Sequence, residues 1–389
     1  MVETKTENNF ILEFDENQLA IKETIRNFAE EKIKPHVMEF DESQEFPIDL
    51  MHQLGDLGFL GILVPEKFGG AGLGYVEYAL VVEELARIDP SLSLSVAAHN
   101  GLCTNHINVF ANDGLKNKYL PDLAGGRKIG AWGLTEPASG SDAGAMQTTA
   151  VKDGKYFVLN GTKAFITHGK SGETAVVMAI TDKEKKKKGI SAFIIEKGTD
   201  GFHTGKKENK LGMRASETTQ LIFENCRVSE DNLIGNEGEG FTQAMKILEG
   251  GRISIAALSV GLAQGCLEAA LAYSKERKQF GKTLSEFQAT QFKLADIATD
   301  IEAARLMTFK AARMKDEKKD ILEIASKAKL FASEVATRAS NEAVQILGGY
   351  GFTKDYPVEK FYRDVKLLTI GEGTSEVQRI VIARSLLTD

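Results

Sequence analysis

The spacing of apolar residues divides the chain into three zones. From residue 16 to about residue 123, Leu19, Ile25, Phe28 and Ile33, then Leu54, Leu57 and Leu60, recur near the 3.6-residue period of amphipathic helices. Asp15 and Asp49 stand where N-caps belong, and the glycine-rich stretch 68–74 reads as a loop between helices. Further helices are predicted over 75–88 and 92–110. From about 128 to 235 the period shifts toward two, with strands expected at 156–159, 175–180, 190–195 and 219–223. Asp153-Gly154 and Asn160-Gly161 are turn dipeptides, and the first lies between apolar runs as a hairpin requires. No long helical pattern interrupts these strands, so an antiparallel barrel or sandwich is expected over a parallel βαβ sheet. From residue 240 onward, Ala- and Leu-rich segments at 241–278, 284–315, 320–347 and 374–387 predict a helical bundle that leaves a face for partner subunits. The expected fold is α+β. A helical N-terminal domain (1–127) precedes a middle antiparallel β-barrel or sandwich (128–236) and a C-terminal four-helix bundle (237–389).

Composition narrows the function. The chain has 389 residues, and 48 basic against 55 acidic side chains give 48 − 55 = −7. That balance lacks the positive field of a nucleic-acid binder. Cys103, Cys226 and Cys266 are odd in number and far apart, without metal or redox spacing, and are expected as reduced thiols. Residues Met1 to Asn9 are polar and acidic with no apolar core, unlike a secretory signal. No charge-free apolar run approaches the ~18 residues of a membrane span. These features point to a cytoplasmic protein without a membrane or nucleic-acid partner.

Several familiar motifs fail. Gly281-Lys282-Thr283 and Gly169-Lys170-Ser171 resemble the end of a phosphate-binding loop, but Glu276 and Ala164 stand where its first glycine belongs. No Gly-x-Gly pair completes the dinucleotide fingerprint. The six histidines lack ligand spacing, so no metal is expected. The lysine run at 183–188 lies between two predicted strands and reads as a solvated loop.

The stretch 133–142 (GLTEPASGSD) is informative. Its small residues and hydroxyls let backbone approach a flat ligand and offer donors to its edge, although a capped turn has the same composition. Trp132, the only tryptophan, adjoins it and could cover a ring system or fill the core. Together with later blocks, this loop resembles the acyl-CoA dehydrogenase family. The blocks are Lys163-Ala164-Phe165-Ile166-Thr167, Leu211-Gly212-Met213-Arg214-Ala215-Ser216, Arg277-Lys278-Gln279-Phe280-Gly281 with Phe287-Gln288, residues 345–352 (QILGGYGF) with Arg363-Asp364, and residues 371–379 (GEGTSEVQR). They run in family order over essentially the whole chain. His168 departs from the family pattern, where many members carry Asn.

The resemblance implies FAD as cofactor. It assigns Trp132, Leu134, Thr135, Gly140, Ser141, Phe165, Ile166 and Thr167 to the flavin side. Arg277, Phe280, Phe287, Gln288, Gln345, Gly348 and Gly349 are assigned to its pyrophosphate and adenine, with Thr374 and Glu376 beside the base. Ser141, Glu249, Arg252, Gly371 and Gly373 are implied for the acyl-CoA substrate, and Glu372 as the base that removes the α proton. Gly251, where some relatives carry the base, cannot serve. An unactivated C–H beside a thioester is a poor acid, so the carbonyl must be polarised by the Glu372 N–H and a ribityl hydroxyl while the β hydride goes to flavin N5, near Thr167. The implied product is a trans-2-enoyl-CoA, with electrons passed to an electron-transfer flavoprotein. Residues 374–379 resemble short-chain members, and Gly371, where many straight-chain members have Tyr, leaves room for a methyl branch or merely permits an unusual backbone angle. A homotetramer built as a dimer of dimers is implied, with Arg277 and Gln288 from one subunit and Gln345, Gly348 and Gly349 from its neighbour. The alternatives are an acyl-CoA oxidase, usually a longer chain, and a non-catalytic acyl-CoA-binding protein, which would have lost the base.

Overall fold

A computed structural model describes residues 12–387; the acidic segment Met1 to Asn9 lies outside the described residues. The N-terminal zone comprises α1 (Glu16–Phe28), α2 (Val37–Ser43), α3 (Ile48–Asp56), α4 (Tyr75–Ile88), α5 (Pro90–Ala98), α6 (Asn105–Phe110) and α7 (Asp113–Ala124). Asp15 caps α1 in a reciprocal box with Gln18, as its position predicts. Asp49 does not cap α3. Pro47 takes the cap position, and Asp49 lies in the first turn, where its charge still suits the helix dipole. The segment expected as one helix over 92–110 is instead α5 and α6 joined by a π-helical turn at His99–Thr104. The wide turn brings Gly101 under the Tyr78 hydroxyl, which a Cβ there would approach to 2.5 Å. Leu19 and Leu57, read as core positions, are exposed, whereas Ile25, Ile33, Leu54 and Leu60 are buried.

The strands are β1 (Gly130–Gly133), β2 (Thr149–Asp153), β3 (Tyr156–Thr167), β4 (Thr174–Ile180), β5 (Ile190–Glu196), β6 (Phe202–Thr204), β7 (Thr218–Ser229) and β8 (Leu233–Ile234). Neighbours run β6-β7-β3-β2-β4-β5-β8, with β1 added beside β4. Most pairs are antiparallel, but β4 takes β1 and one residue of β2 in parallel, so the sheet is mixed. Asp153-Gly154 makes the β2–β3 hairpin, with Gly154 at φ +61°. Asn160-Gly161 is not a turn. It is a bulge inside the 12-residue β3, where a Cβ on Gly161 would meet Thr148 Oγ1 at 2.5 Å. Ala175, Val177 and Ala179 of β4 and Phe193 and Ile195 of β5 face a core with β3 and β7. The alternate residues Val176, Met178, Ala192 and Ile194 face α7 and the start of the next helix.

The C-terminal zone holds α8 (Gly240–Glu276), a two-residue hairpin β9 (Lys278–Gln279) and β10 (Lys282–Thr283), α9 (Gln288–Asp316), α10 (Leu322–Leu347), α11 (Val358–Asp364) and α12 (Ser375–Leu387). α8 is long and apolar enough to cross a membrane by length and composition, yet it is a core helix packed between α4, α9 and α10. Close contact with α4 is possible because α8 carries glycine there. Cβ atoms on Gly261 and Gly265 would meet the carbonyls of Glu83 and Arg87 at 2.1 and 2.3 Å.

Candidate active site

The turn between α11 and α12 positions Glu372. Ile370 and Gly371 amides both donate to the Leu367 carbonyl, at 2.9 and 2.8 Å, and the chain then enters the left-handed region at Glu372 (φ +52°) and Gly373 (φ +93°). Two side chains hold this conformation from below. Gln378 Nε2 donates to the Gly373 and Glu372 carbonyls (2.9 and 3.3 Å), and Lys329 Nζ donates to the Gly373 carbonyl (2.8 Å). Gly371 itself lies outside the positive-φ region, so its lack of a side chain is not a demand of the backbone.

The Glu372 carboxylate lies directly over Gly251 of α8. A Cβ on Gly251 would sit 1.6 Å from Glu372 Oε2. That oxygen is buried and makes no hydrogen bond, a costly state for a carboxylate. Burial pushes the Glu372 carboxyl up to about 7, while the charges of Lys329 and Arg252 pull it down. Tyr75 and Tyr78 of α4 face the same charge. The Tyr75 hydroxyl accepts from Asn105 Nδ2 at 3.0 Å, and the Tyr78 hydroxyl donates to the Ala97 carbonyl at 2.7 Å.

Arg252 is buried, and its Nε and Nη1 have no hydrogen-bond partner. Burial lowers its pKa against the opposing fields of Glu249 and Glu372. An unpaired buried guanidinium beside the Glu372 carboxylate is poised for an anion or a carbonyl oxygen. Glu249 is differently placed. It ion-pairs with Lys246 at 3.1 Å and reaches Lys315 at 4.0 Å.

A second group of sequence-predicted residues surrounds the end of β3. The 133–142 loop is fastened there by the Ala164 amide to the Thr135 carbonyl (2.8 Å) and by the buried pair Lys163–Glu136 (2.7 Å). Glu136 also accepts from the Gln147 and Thr148 amides, and burial brings the Lys163 ammonium down to about 8. Gly140 and Ser141 are exposed at the loop tip, and a Cβ on Gly140 would meet nothing within 4 Å. The β3 bulge turns Phe165 outward, 66% exposed at φ +59°, beside Ile166 and Thr167, while Leu134 is buried. Trp132 donates its indole N–H to His106 Nδ1 (3.0 Å), and His106 Nε2 then donates to Gln243. Burial holds His106 down to about 4, so this relay is neutral.

His168 has a structural place. Its Nδ1 donates to the Gly130 carbonyl at 3.1 Å, while the Gly130 amide donates to His99 Nδ1 at 3.0 Å. Two neutral imidazoles therefore brace β1 from both sides.

A third group lies at the other end of the helical zone. Phe280 tips the β9–β10 hairpin, 95% exposed, with Phe287 edge-on to it and Gln288 at the first turn of α9. Arg277 lies over the Tyr350 ring at 5.6 Å and so adjoins the Gly348–Phe352 turn of its own chain, which follows Gln345 in α10. The two sets, expected from different subunits, lie side by side within one chain. Cβ atoms on Gly281, Gly348 and Gly349 would meet nothing within 4 Å. Thr374 and Glu376 line a cavity of about 380 Å³ with Arg338, Lys366 and Arg379. Among the described residues, no group of His, Cys, Asp or Glu could hold a metal ion.

Family models for the N-terminal, middle and C-terminal domains of acyl-CoA dehydrogenase match residues 15–127, 131–226 and 238–387. The chain belongs to the acyl-CoA dehydrogenase family. It is 48% identical over 366 residues to the short-chain specific acyl-CoA dehydrogenase of Clostridium acetobutylicum, covering 94% of this chain and 97% of that one. The butyryl-CoA dehydrogenase of Megasphaera elsdenii superposes with a TM-score of 0.96 at 43% identity, covering 97% and 100% of the two chains. A chain in a structure of the electron transferring flavoprotein of Acidaminococcus fermentans matches with a TM-score of 0.97 at 49% identity, covering 98% and 100%. The protein is thus an FAD-dependent oxidoreductase acting on CH–CH groups.

The residues present fit FAD. Open glycine backbone, an outward aromatic at Phe165 and donors at the tip of the 133–142 loop suit a flat ring with a polar edge, and the exposed Arg277 suits a diphosphate. Lys329, Gln378, Tyr75 and Tyr78 were not singled out from sequence. Lys329 carried a signal: it stands among Ala325, Ala328, Ala332 and Ala336 at the spacing of the buried face of α10.

Proposed function

We propose that the protein dehydrogenates short-chain acyl-CoA thioesters to trans-2-enoyl-CoA, with Glu372 as the base and an electron-transfer flavoprotein as acceptor. The observation that carries this reading is the half-buried Glu372 over Gly251, whose Oε2 is buried and unpartnered and whose carboxyl is pushed up to about 7. The Glu372 carboxylate takes the α proton, and bound acyl chain excludes water from it. The Glu372 N–H, on the same left-handed turn, polarises the thioester oxygen as enolate charge develops. Arg252 adds a fixed positive field, and Ser141 meets the CoA side of the ligand. Trp132, Thr135, Phe165 and Thr167 hold the flavin, Arg277, Phe280, Gln288 and Gly349 its far end, and Thr374 and Glu376 the segment next to the base. FAD, when bound, supplies the acceptor for the electron pair leaving the β carbon.

Short-chain preference is supported by the short-chain and butyryl-CoA relatives, and the acceptor by the chain matched in the flavoprotein structure. The three buried, free cysteines suit a reducing cytoplasm. The test is anaerobic single-turnover reduction by butyryl-CoA. Glu372→Gln is expected to keep its FAD and lose about 10³-fold or more in rate. Near-normal reduction by that variant would remove Glu372 from the role. In the wild type the rate should rise with pH through an acid limb near 7, because only the ionised carboxyl accepts a proton.

A further inference from the structure

Lys329 is fully buried, and its hydrogen bond goes to a backbone oxygen, the Gly373 carbonyl at 2.8 Å. Among the described residues no carboxylate lies within 4.0 Å of its ammonium, in contrast to the other two fully buried lysines, Lys163 and Lys360, which are both ion-paired. A lone buried ammonium is expensive, and it is tolerated where the surroundings return its cost. Here the nearby opposite charge is Glu372, with Glu376 of α12 more exposed and Arg252 of α8 repelling it. Glu372 in turn faces Lys329 from α10, Arg252 from α8 and the neutral phenols of Tyr75 and Tyr78 from α4. Gln378 also holds the Gly373 carbonyl, so the tether alone does not require an ammonium. What Lys329 adds is charge.

We propose that Lys329 is a positioning residue for the base: its ammonium fixes the left-handed Glu372–Gly373 turn through the Gly373 carbonyl and supplies the buried positive charge that faces the Glu372 carboxylate. This rests on Glu372 being the base. Removing the charge destabilises the carboxylate relative to the acid, so the carboxyl titrates higher. Removing only shape leaves its titration where it is.

The test uses the FAD-loaded enzyme. The protonated-carboxyl band of Glu372 is titrated by infrared difference against Glu372→Gln, alongside flavin reduction by butyryl-CoA from pH 6 to 9.5. In Lys329→Met the titration is expected to move up by about one unit or more, with reduction about five-fold slower at pH 7 and recovering above pH 9. Lys329→Arg, which keeps the charge, should titrate close to wild type. An unmoved titration in Lys329→Met, with the rate lowered equally at every pH, would overturn the proposal and leave Lys329 as packing. If Lys329→Met fails to fold or to retain FAD, Lys329→Gln keeps a donor without the charge, and an unmoved titration there overturns the proposal equally. Failure of the underlying base assignment shows separately, as near-normal reduction by Glu372→Gln.

Discussion

Two glycines flank the chemistry, and the space around them separates their roles. At Gly251 an added methyl would overlap the Glu372 carboxylate, which is the far end of a flexible side chain, so the fold can absorb the change while the proposed base is displaced. Gly251→Ala should therefore fold and keep FAD while reduction by butyryl-CoA slows about 10²-fold, the order expected for a base displaced by an ångström. Unchanged reduction kinetics in that variant would mean that the carboxylate works from another position. At Gly371 an added Cβ would meet only Leu367 atoms at 3.5–3.7 Å, ordinary contact. A Cβ is admissible there, which favours the steric reading of this glycine over the conformational one. Gly371→Tyr should lower turnover of isovaleryl- and 2-methylbutyryl-CoA about ten-fold more than that of butyryl-CoA, the scale of a misfit methyl in an apolar pocket. Equal losses on branched and straight substrates would count against it. Glu372 itself was legible only through its family motif, since a Glu between two glycines also describes a surface turn. Its burial depends on α8, more than a hundred residues earlier in the chain.

Among the elements, helices were legible where one face is apolar and one is wet, as in α1 and α10. Legibility failed where tertiary contacts override the local pattern. The 92–110 segment is buried almost throughout as far as Ile107, so no exposed face marks the π-helical turn, where Gly101 lies against the Tyr78 hydroxyl. Likewise Asn160-Gly161 carries turn chemistry, but the long pairing of β3 with β7 turns it into a bulge. The parallel partnership of β1 with β4 was also hidden, because a four-residue strand shows no period. That strand is held by His99 and His168, and its bracing has a consequence for pH. Burial lowers both imidazoles, His99 to about 3 and His168 to about 4, as it does His106 to about 4. In the unfolded chain they protonate near 6.5, so as pH falls below 6.5 the unfolded state gains protons that the folded state refuses. Stability present at pH 7 is lost progressively down toward pH 4, at about 2 kcal/mol per histidine by pH 5. Denaturant midpoints measured at pH 7 and 5 should show this fall, and His168→Asn should reduce the slope. An identical slope in that variant would mean that His168 protonates freely in the fold.

At the scale of the molecule, the surface of the C-terminal zone carries exposed aromatic side chains. Phe280 and Phe352 are 95% and 87% exposed, with Tyr350 also open, and they belong to the hairpin and turn beside Arg277. Apolar exposure of this kind calls for a covering partner. The absence of any obstacle beside Gly281, Gly348 and Gly349 leaves room for a ligand in the same place. Residues of the flavin side lie in the β zone, whereas Arg277 and its neighbours sit at the far end of the helices. A second copy that brings its Phe280 hairpin to the flavin of the first would cover the aromatic surface and complete the site in one step, by the self-complementary contact of a two-fold dimer. Two such dimers, packed through the helical bundle, would give a tetramer. Light scattering of the FAD-loaded protein should accordingly give four times the 42.4 kDa chain mass. Phe280→Ser removes the hairpin's apolar tip from a position where the side chain meets little of its own chain, so the fold of each subunit should survive. Its bound FAD and its fraction of tetramer should fall together as protein is diluted, because in this arrangement the same ring would serve both the cofactor and the interface. A Phe280→Ser protein that stays tetrameric with full flavin on dilution, or a wild type that is a flavin-loaded monomer, would exclude this arrangement.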